Sequence, residues 1–297
     1  MTRRQFVKLS LGLAGAYVAG RVTYSVGWEK YDLRLTRWTV PLRRLPVGLS
    51  GLRVALFSDV HLNQAIPQEY VLHALDVIGR LGADLVVFAG DLLSDRLRYL
   101  PPYQGAFTGI TAPFGKYAVL GNRDYQGRRS EPLIAFLEDT GWQVLRNENR
   151  RLPGSARAWM VGIDDPVSGR DDVERAVAGI PDEAFRLFVA HSPDVIGPVA
   201  QHGGDLLLAG HTHGGQIVLP FVGAPWVPSE YSSTYAWGMF DHGLMRMVVT
   251  RGVGVVPPRL RFNCPPEVVL LTLVRDPQFP YRDGKTHGCG PWMTRAR

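Results

Sequence analysis

Cysteine is almost missing from this chain: 297 residues hold two, Cys264 and Cys289, with no C-x-x-C spacing. That pattern excludes a thiolate zinc site and a dithiol redox centre, and nothing in it brings the two sulfurs together. The expectation is one buried thiol and one in a tail. A G-x-S-x-G elbow is also absent, which removes the usual serine nucleophile of an α/β hydrolase. There is no internal repeat and no long low-complexity segment, so the chain is no solenoid. Most of it lacks excess charge of either sign as well. The formal charge is +6, yet residues 1–50 carry nine Lys or Arg against two Asp or Glu, leaving a net of −1 on the rest. A near-neutral body has no global field to gather polyanions, so nucleic acid is not an expected partner and a nuclease is disfavoured.

What is present begins with the N-terminus. Thr2-Arg3-Arg4-Gln5-Phe6-Val7-Lys8 is a twin-arginine string followed by an apolar, Gly- and Ala-rich run over 9–20. This charge-then-apolar order is that of an export signal, which makes the twin-arginine export machinery an expected partner. The only A-x-A-like site, Ala14-Gly15-Ala16, lies inside the apolar run, so an uncleaved membrane anchor over 9–28, broken by Arg21, is the alternative. Residues 1–30 are therefore read as a signal or anchor and 31–50 as a basic linker, its Arg34, Arg37, Arg43 and Arg44 either solvated or lying against anionic lipid. Residues 51–275 are read as one catalytic domain, expected to be a monomer, and 276–297 as a disordered tail.

The domain alternates β and α. Short apolar runs over 54–57, 85–89, 117–120, 187–190 and 206–209 read as buried strands. Helices are expected over 67–81, from the spacing of Val71, Leu75 and Ile78, over 130–141, with Ser130 as cap, and around 171–178. Strands are expected around 142–145 and 158–163, and 220–240, rich in Pro, Trp, Tyr and Gly, reads as a long loop. Each of the five apolar runs stops at a polar donor: Asp59 and His61, Asp91, Asn122, His191, then His211 and His213. In open α/β sheets ligands bind beyond the carboxyl ends of the strands, so these seven donors are expected to converge on one crevice. Carboxylate, imidazole and amide oxygen suit divalent ions such as Mn, with Fe or Zn as alternatives. A carboxylate bridging two cations about 3.5 to 4 Å apart lets them clamp the attacking and leaving oxygens at phosphorus and acidify a shared water into a bridging hydroxide. His73, His202, His242 and His287 fall outside these strings and read as surface, turn and tail residues.

In order, D-x-H, G-D, G-N-x-D, a lone His before Ser-Pro-Asp, and Gly210-His211-Thr212-His213-Gly214-Gly215-Gln216 resemble the calcineurin-like metallophosphoesterases over 51–275. The leader, the Ala209–Gln216 string and Arg261-Phe262-Asn263-Cys264-Pro265-Pro266-Glu267 are similar to the leader-bearing or membrane-anchored bacterial phosphodiesterases of that family. The resemblance implies an α/β fold of two packed mixed sheets flanked by helices, an αββα β-sandwich. It implies one metal on Asp59, His61, Asp91 and His213, and a second on Asp91, Asn122, His191 and His211, with Asp91 as the bridge.

One position departs from the family pattern. Where relatives carry Gly-Asn-His, this chain has Gly121-Asn122-Arg123-Asp124, which makes Arg123 and Asp124 the candidate catalytic pair. Arginine stabilises transferred charge but stays protonated, so it cannot protonate a leaving oxygen. A leaving phosphate needs no proton, which tilts the substrate toward a phosphoanhydride or activated ester. The same string resembles the UDP-2,3-diacylglucosamine pyrophosphohydrolases of lipid A synthesis. That implies a sugar-nucleotide lipid substrate at a membrane surface, with Phe221, Trp226, Tyr231, Tyr235 and Trp237 covering an acyl chain or merely packing at the domain edge. Export would favour cell-wall or extracellular phosphodiesters instead. A metal-binding protein without activity stays open as a third reading.

Overall fold

The computed structural model describes residues 1–279 and 292–295. Two mixed sheets pack face to face, with helices on both outer surfaces. The first sheet runs β13 (Trp292–Arg295), β1 (Arg34–Leu42), β12 (Glu267–Arg275), β2 (Arg53–Phe57), β3 (Leu85–Ala89), β4 (Lys116–Val119) and β5 (Gln143–Val144). The second runs β10 (Gly238–His242), β11 (Met245–Val249), β9 (Leu206–Ala209), β8 (Phe185–Val189), β7 (Ala158–Gly162) and β6 (Glu148–Arg151). β2, β3, β4 and β5 pair in parallel, as do β7, β8 and β9. Their carboxyl ends therefore point the same way within each sheet.

The unbroken apolar runs follow from burial on both faces. In β2, Val54 and Leu56 meet Leu187, Val189 and Leu208 of the other sheet in the layer between them. Their neighbours Ala55 and Phe57 pack outward, beneath α2 (Gln68–Arg80), α3 (Gln104–Gly109) and α4 (Ser130–Asp139). Phe188 of β8 likewise turns outward, beneath α5 (Val173–Val177) and α6 (Ile196–Gln201). Val71, Leu75 and Ile78 are buried as their spacing predicts. Ser130 is the first residue of α4 and not its cap; Arg129 takes the cap position without a side-chain bond.

Two segments differ from expectation. Residues 31–50 are no linker: β1 lies inside the first sheet, pairing with β12 over nine residues. Trp38, Val40 and Leu42 alternate into the inter-sheet core while Arg37 and Thr39 face out, a period-2 signal masked by the flanking arginines. In the expected tail, Phe279 is buried with the Arg246 guanidinium 4.0 Å from its ring, and β13 pairs with β1. Residues 280–291, Cys289 and His287 included, and 296–297 lie outside the described residues.

The leader region forms α1 (Arg3–Gly27), opened by a reciprocal capping box between Thr2 and Gln5. Its end is tied to the domain: Arg21 donates to Asn263 and stacks 5.4 Å from the Phe262 ring, and Glu29 accepts from the Cys264 amide at 2.9 Å. Among the described residues no helix is long and apolar enough to cross a membrane.

Candidate metal centre and its pocket

The donors sit where five strands end. Asp59 and His61 follow β2, Asp91 follows β3, Asn122 follows β4, His191 follows β8, and His211 and His213 follow β9. The chain leaves these strands through unusual backbone. Asp59, His61, Asp91, His211 and His213 all adopt left-handed φ values between 52° and 69°. Such conformations cost about 1 kcal/mol or more each for a side-chain-bearing residue and persist where the surroundings over-determine them, which is typical of functional sites. Two glycines make the close approach feasible. A Cβ on Gly121 would stand 2.2 Å from Asp91 Oδ1, and one on Gly210 would stand 2.6 Å from Asp59 Oδ2.

All seven donors reach one place. His61 Nε2 and His213 Nε2 lie 3.0 Å apart, with Asp59 Oδ1 at 3.7 and 3.5 Å from them. His191 Nε2 lies 3.1 Å from His211 Nδ1 and 3.5 Å from Asp91 Oδ2, and that same Asp91 oxygen is 3.6 Å from His61 Nε2. Asp91 thus touches both histidine pairs. Asn122, Arg123, His61, Asp91, His211 and His213 line a cavity of about 810 Å³; Asp59 and His191 are buried behind it. His191 Nδ1 faces the Ala89 carbonyl at 2.8 Å, which leaves Nε2 turned to the cluster. Ser94 Oγ does the same for His61 Nδ1 at 2.8 Å.

The electrostatics are those of a cation trap. Burial opposes charge on His191, but the Asp91 and Asp59 carboxylates outweigh it and push its pKa up to about 10. Asp91 is held below the ordinary carboxylate range: burial works against it, and the His191 charge, a His191 hydrogen bond and His61 overcome that. Burial lowers His61 and His213, and burial together with the His191 charge takes His211 down to about 3. Three imidazoles that resist protonation thus surround an ionised Asp91, an arrangement that favours a cation. Among the described residues, Asp59 Oδ1 and Asn122 Oδ1 are buried with no hydrogen-bond partner. Orphaned acceptors of this kind are costly unless something positive meets them, and divalent cations fit. Asp59, His61 and His213 form one group whose ligand atoms all lie within 4.8 Å, and Asp59, Asp91 and His191 form another.

Asp124 does not belong with Arg123. It is fully buried, and its carboxylate accepts amides from Asp91 at 2.8 Å, Leu93 and Gly121 at 3.0 Å and Leu92 at 3.3 Å. With its oxygens so occupied it fixes the loops after β3 and β4 and cannot reach substrate. Burial and the adjacent Asp91 charge push it up to about 7. Arg123 does reach the cavity: its amide donates to Asp91 Oδ1 at 2.8 Å, and its guanidinium makes no hydrogen bond or ion pair among the described residues.

Sequence reasoning missed a supporting collar. Arg261 is wholly buried and donates to the carbonyls of His213, Gly252, Gly254, Arg251 and Cys264 at 2.7–3.3 Å. Glu267 pairs with Arg251 at 2.8 Å and accepts from Trp237 Nε1 at 2.6 Å. Their presence in one Arg-Phe-Asn-Cys-Pro-Pro-Glu string was the available signal. Trp237 is thus part of the collar, while Phe221 and Trp226 of the same loop are exposed, Trp226 at the cavity wall. His242 lines a separate cavity with Arg43 and Arg44.

Two packed mixed sheets with helices outside, and a donor set for paired divalent ions at their strand ends, define a metallophosphoesterase, a hydrolase of phosphate esters. The chain belongs to the calcineurin-like phosphoesterase family, whose model matches residues 52–215. It is 31% identical over 283 residues to the uncharacterized metallophosphoesterase YkuE of Bacillus subtilis, covering 92% of this chain and 98% of that one. It is 32% identical to the phosphodiesterase YaeI of Escherichia coli over 75% of this chain and 82% of the relative. Similarity to the UDP-2,3-diacylglucosamine pyrophosphatase LpxG of Chlamydia trachomatis is 26%, over 82% of this chain and 90% of that protein.

Proposed function

We propose that Asp59, His61, Asp91 and His213 hold one divalent cation and Asp91, Asn122, His191 and His211 a second, with manganese the first choice, and that the chain hydrolyses a phosphodiester or pyrophosphate bond beside them. The observation that carries this is the contact of Asp91 with both histidine pairs, through His61 at 3.6 Å and His191 at 3.5 Å. When bound, such a pair supplies charge neutralisation at phosphorus and acidifies a water molecule.

The chain's own residues do the rest. The Ala89 carbonyl and the Ser94 hydroxyl orient His191 and His61. Asp124 holds the Asp91 and Gly121 amides, so the oxygen donors stay in place without substrate. Arg123 spreads positive charge over the transferred phosphoryl group and gives up no proton, which favours a leaving phosphate over an alkoxide. The cavity walls beyond the cluster include Val167, Ile217, Pro225 and Trp226, which suit an apolar substituent. A sugar-nucleotide lipid like that named for the chlamydial relative meets both requirements, and the exposed Phe221, Val222 and Trp226 would lie toward a lipid surface.

The twin-arginine string supports a second substrate reading, in which residues 1–30 direct export and the substrate is a cell-wall or extracellular phosphodiester. The two are separated by incubating the manganese-loaded protein with UDP-2,3-diacylglucosamine and with a plain phosphodiester. Faster release of nucleotide from the first supports the pyrophosphate reading, and turnover of the second alone supports the exported one. No turnover of either would overturn both substrate readings.

A further inference from the structure

A second cavity, of about 440 Å³, adjoins the first and shares Arg123, Val256 and Pro257 with it. Its character is different. Where the first has Ile217, Pro225 and Trp226, the second is walled by Asn63, Gln64, Ser94, Asp95, Arg123 and Arg259. Neither guanidinium has a hydrogen bond or ion pair among the described residues; the Arg259 carbonyl, on the backbone, accepts from Lys30 Nζ at 3.3 Å. The one carboxylate, Asp95, has the Arg96 guanidinium 3.6 Å away. Asn63 is committed to its own turn, donating to the His61 carbonyl at 2.6 Å and accepting from the Ala65 amide at 2.7 Å. With the Gln64 amide, the two arginines are the groups left to receive a ligand, and they are the cationic ones.

We propose that this second cavity is an anion subsite, in which Arg259 and Arg123 bind a phosphoryl group adjoining the one that is cut. The inference rests on the reading of the cluster as the phosphoryl-transfer site. Arg123 stands between the two cavities, so a substrate crossing it places its apolar part against Trp226 and Ile217 and a second phosphate between two guanidinium forks. Paired guanidiniums suit an anionic phosphoryl group, because each fork offers two donors to its oxygens, and a simple diester has no second phosphoryl group to place there. Substrates with two linked phosphoryl groups are thereby selected over simple diesters, and Arg259 is the residue that selects them. Arg259 is exposed and braces no core, so its replacement leaves the fold intact.

The test is calorimetric binding of adenosine 5′-monophosphate, and of uncharged adenosine, to the full manganese-loaded chain. Arg259→Ala should weaken the nucleotide by about tenfold and Arg259→Glu by more, with adenosine affected by neither. Arg80→Ala, which removes a remote surface arginine, should change nothing. In parallel, the ratio of KM values for bis(p-nitrophenyl) phosphate and a nucleoside diphosphate sugar should fall about tenfold in Arg259→Ala. Nucleotide affinity unchanged in both Arg259 variants, or reduced equally by Arg80→Ala, overturns the subsite. Failure of the two-cation reading shows separately, as absence of manganese-dependent turnover in the unaltered chain, while the binding comparison still reports on Arg259.

Discussion

The two sheets contribute opposite chemistry to one crevice. The seven-stranded sheet delivers the oxygen donors Asp59, Asp91 and Asn122 together with His61; the six-stranded sheet delivers only imidazoles, His191, His211 and His213. They are also braced differently. The oxygen half is held by its own loops: Asp59 N donates to Gly90 O at 2.8 Å, His61 N to Asp91 O at 3.1 Å, and Asp124 gathers four amides. The imidazole half depends on residues far along the chain, with Arg261 on the His213 carbonyl and Thr212 Oγ1 on the Ala236 carbonyl. The Asp91 side is braced locally, whereas the histidines, and Asp59 through the Gly254 amide at 2.7 Å, lean on the last third of the chain.

The largest break comes from the group that joins the halves. Asp91→Asn should lower manganese-dependent turnover of a bis-aryl phosphate by about a thousandfold or more, with an unchanged circular dichroism spectrum, because a shared ligand is lost and no core is emptied. Arg261→Met removes the support beneath His213 and beneath the 252–254 loop that holds Asp59, and leaves Asp91 untouched. Five carbonyls lose their donor, which should cost about 3 kcal/mol or more by urea midpoint and reduce manganese affinity while Asp124 still braces the Asp91 side. Asp124→Asn is the matching change in the oxygen half. It keeps the shape but turns one accepting oxygen into a donor, losing at least one of the four amide bonds and weakening the rest, at a cost of about 2 kcal/mol by the same measurement. Arg123→His is the finest probe: it should move the anhydride-to-diester rate ratio by about tenfold toward the diester, and an unchanged ratio would contradict the account of the leaving group.

Much of this was legible in the chain itself. Strands buried on both faces appear as pure apolar runs, and each ends on its donor, so the convergence of Asp59, Asp91 and His191 could be read from position alone. β1 could not, because Arg34 and Arg37 within it and Arg43 and Arg44 after it hide the alternation of Trp38, Val40 and Leu42. Asp124 was misread for a related reason. Its place beside Arg123 suggested shared chemistry, yet a tight turn sends neighbouring side chains to opposite sides, one to the cavity and one to the amides beneath it. The left-handed backbone at five donors leaves no trace in residue type, since Asp and His tolerate it but do not announce it.

The joint hold of both sheets on a pair of cations is tested most directly by titrating chelator-stripped protein with manganese in a calorimeter. Two ions per chain are expected, falling to one or none in Asp91→Asn. A stripped protein that takes up no manganese, or an Asp91→Asn variant that still binds two with undiminished affinity, would contradict it.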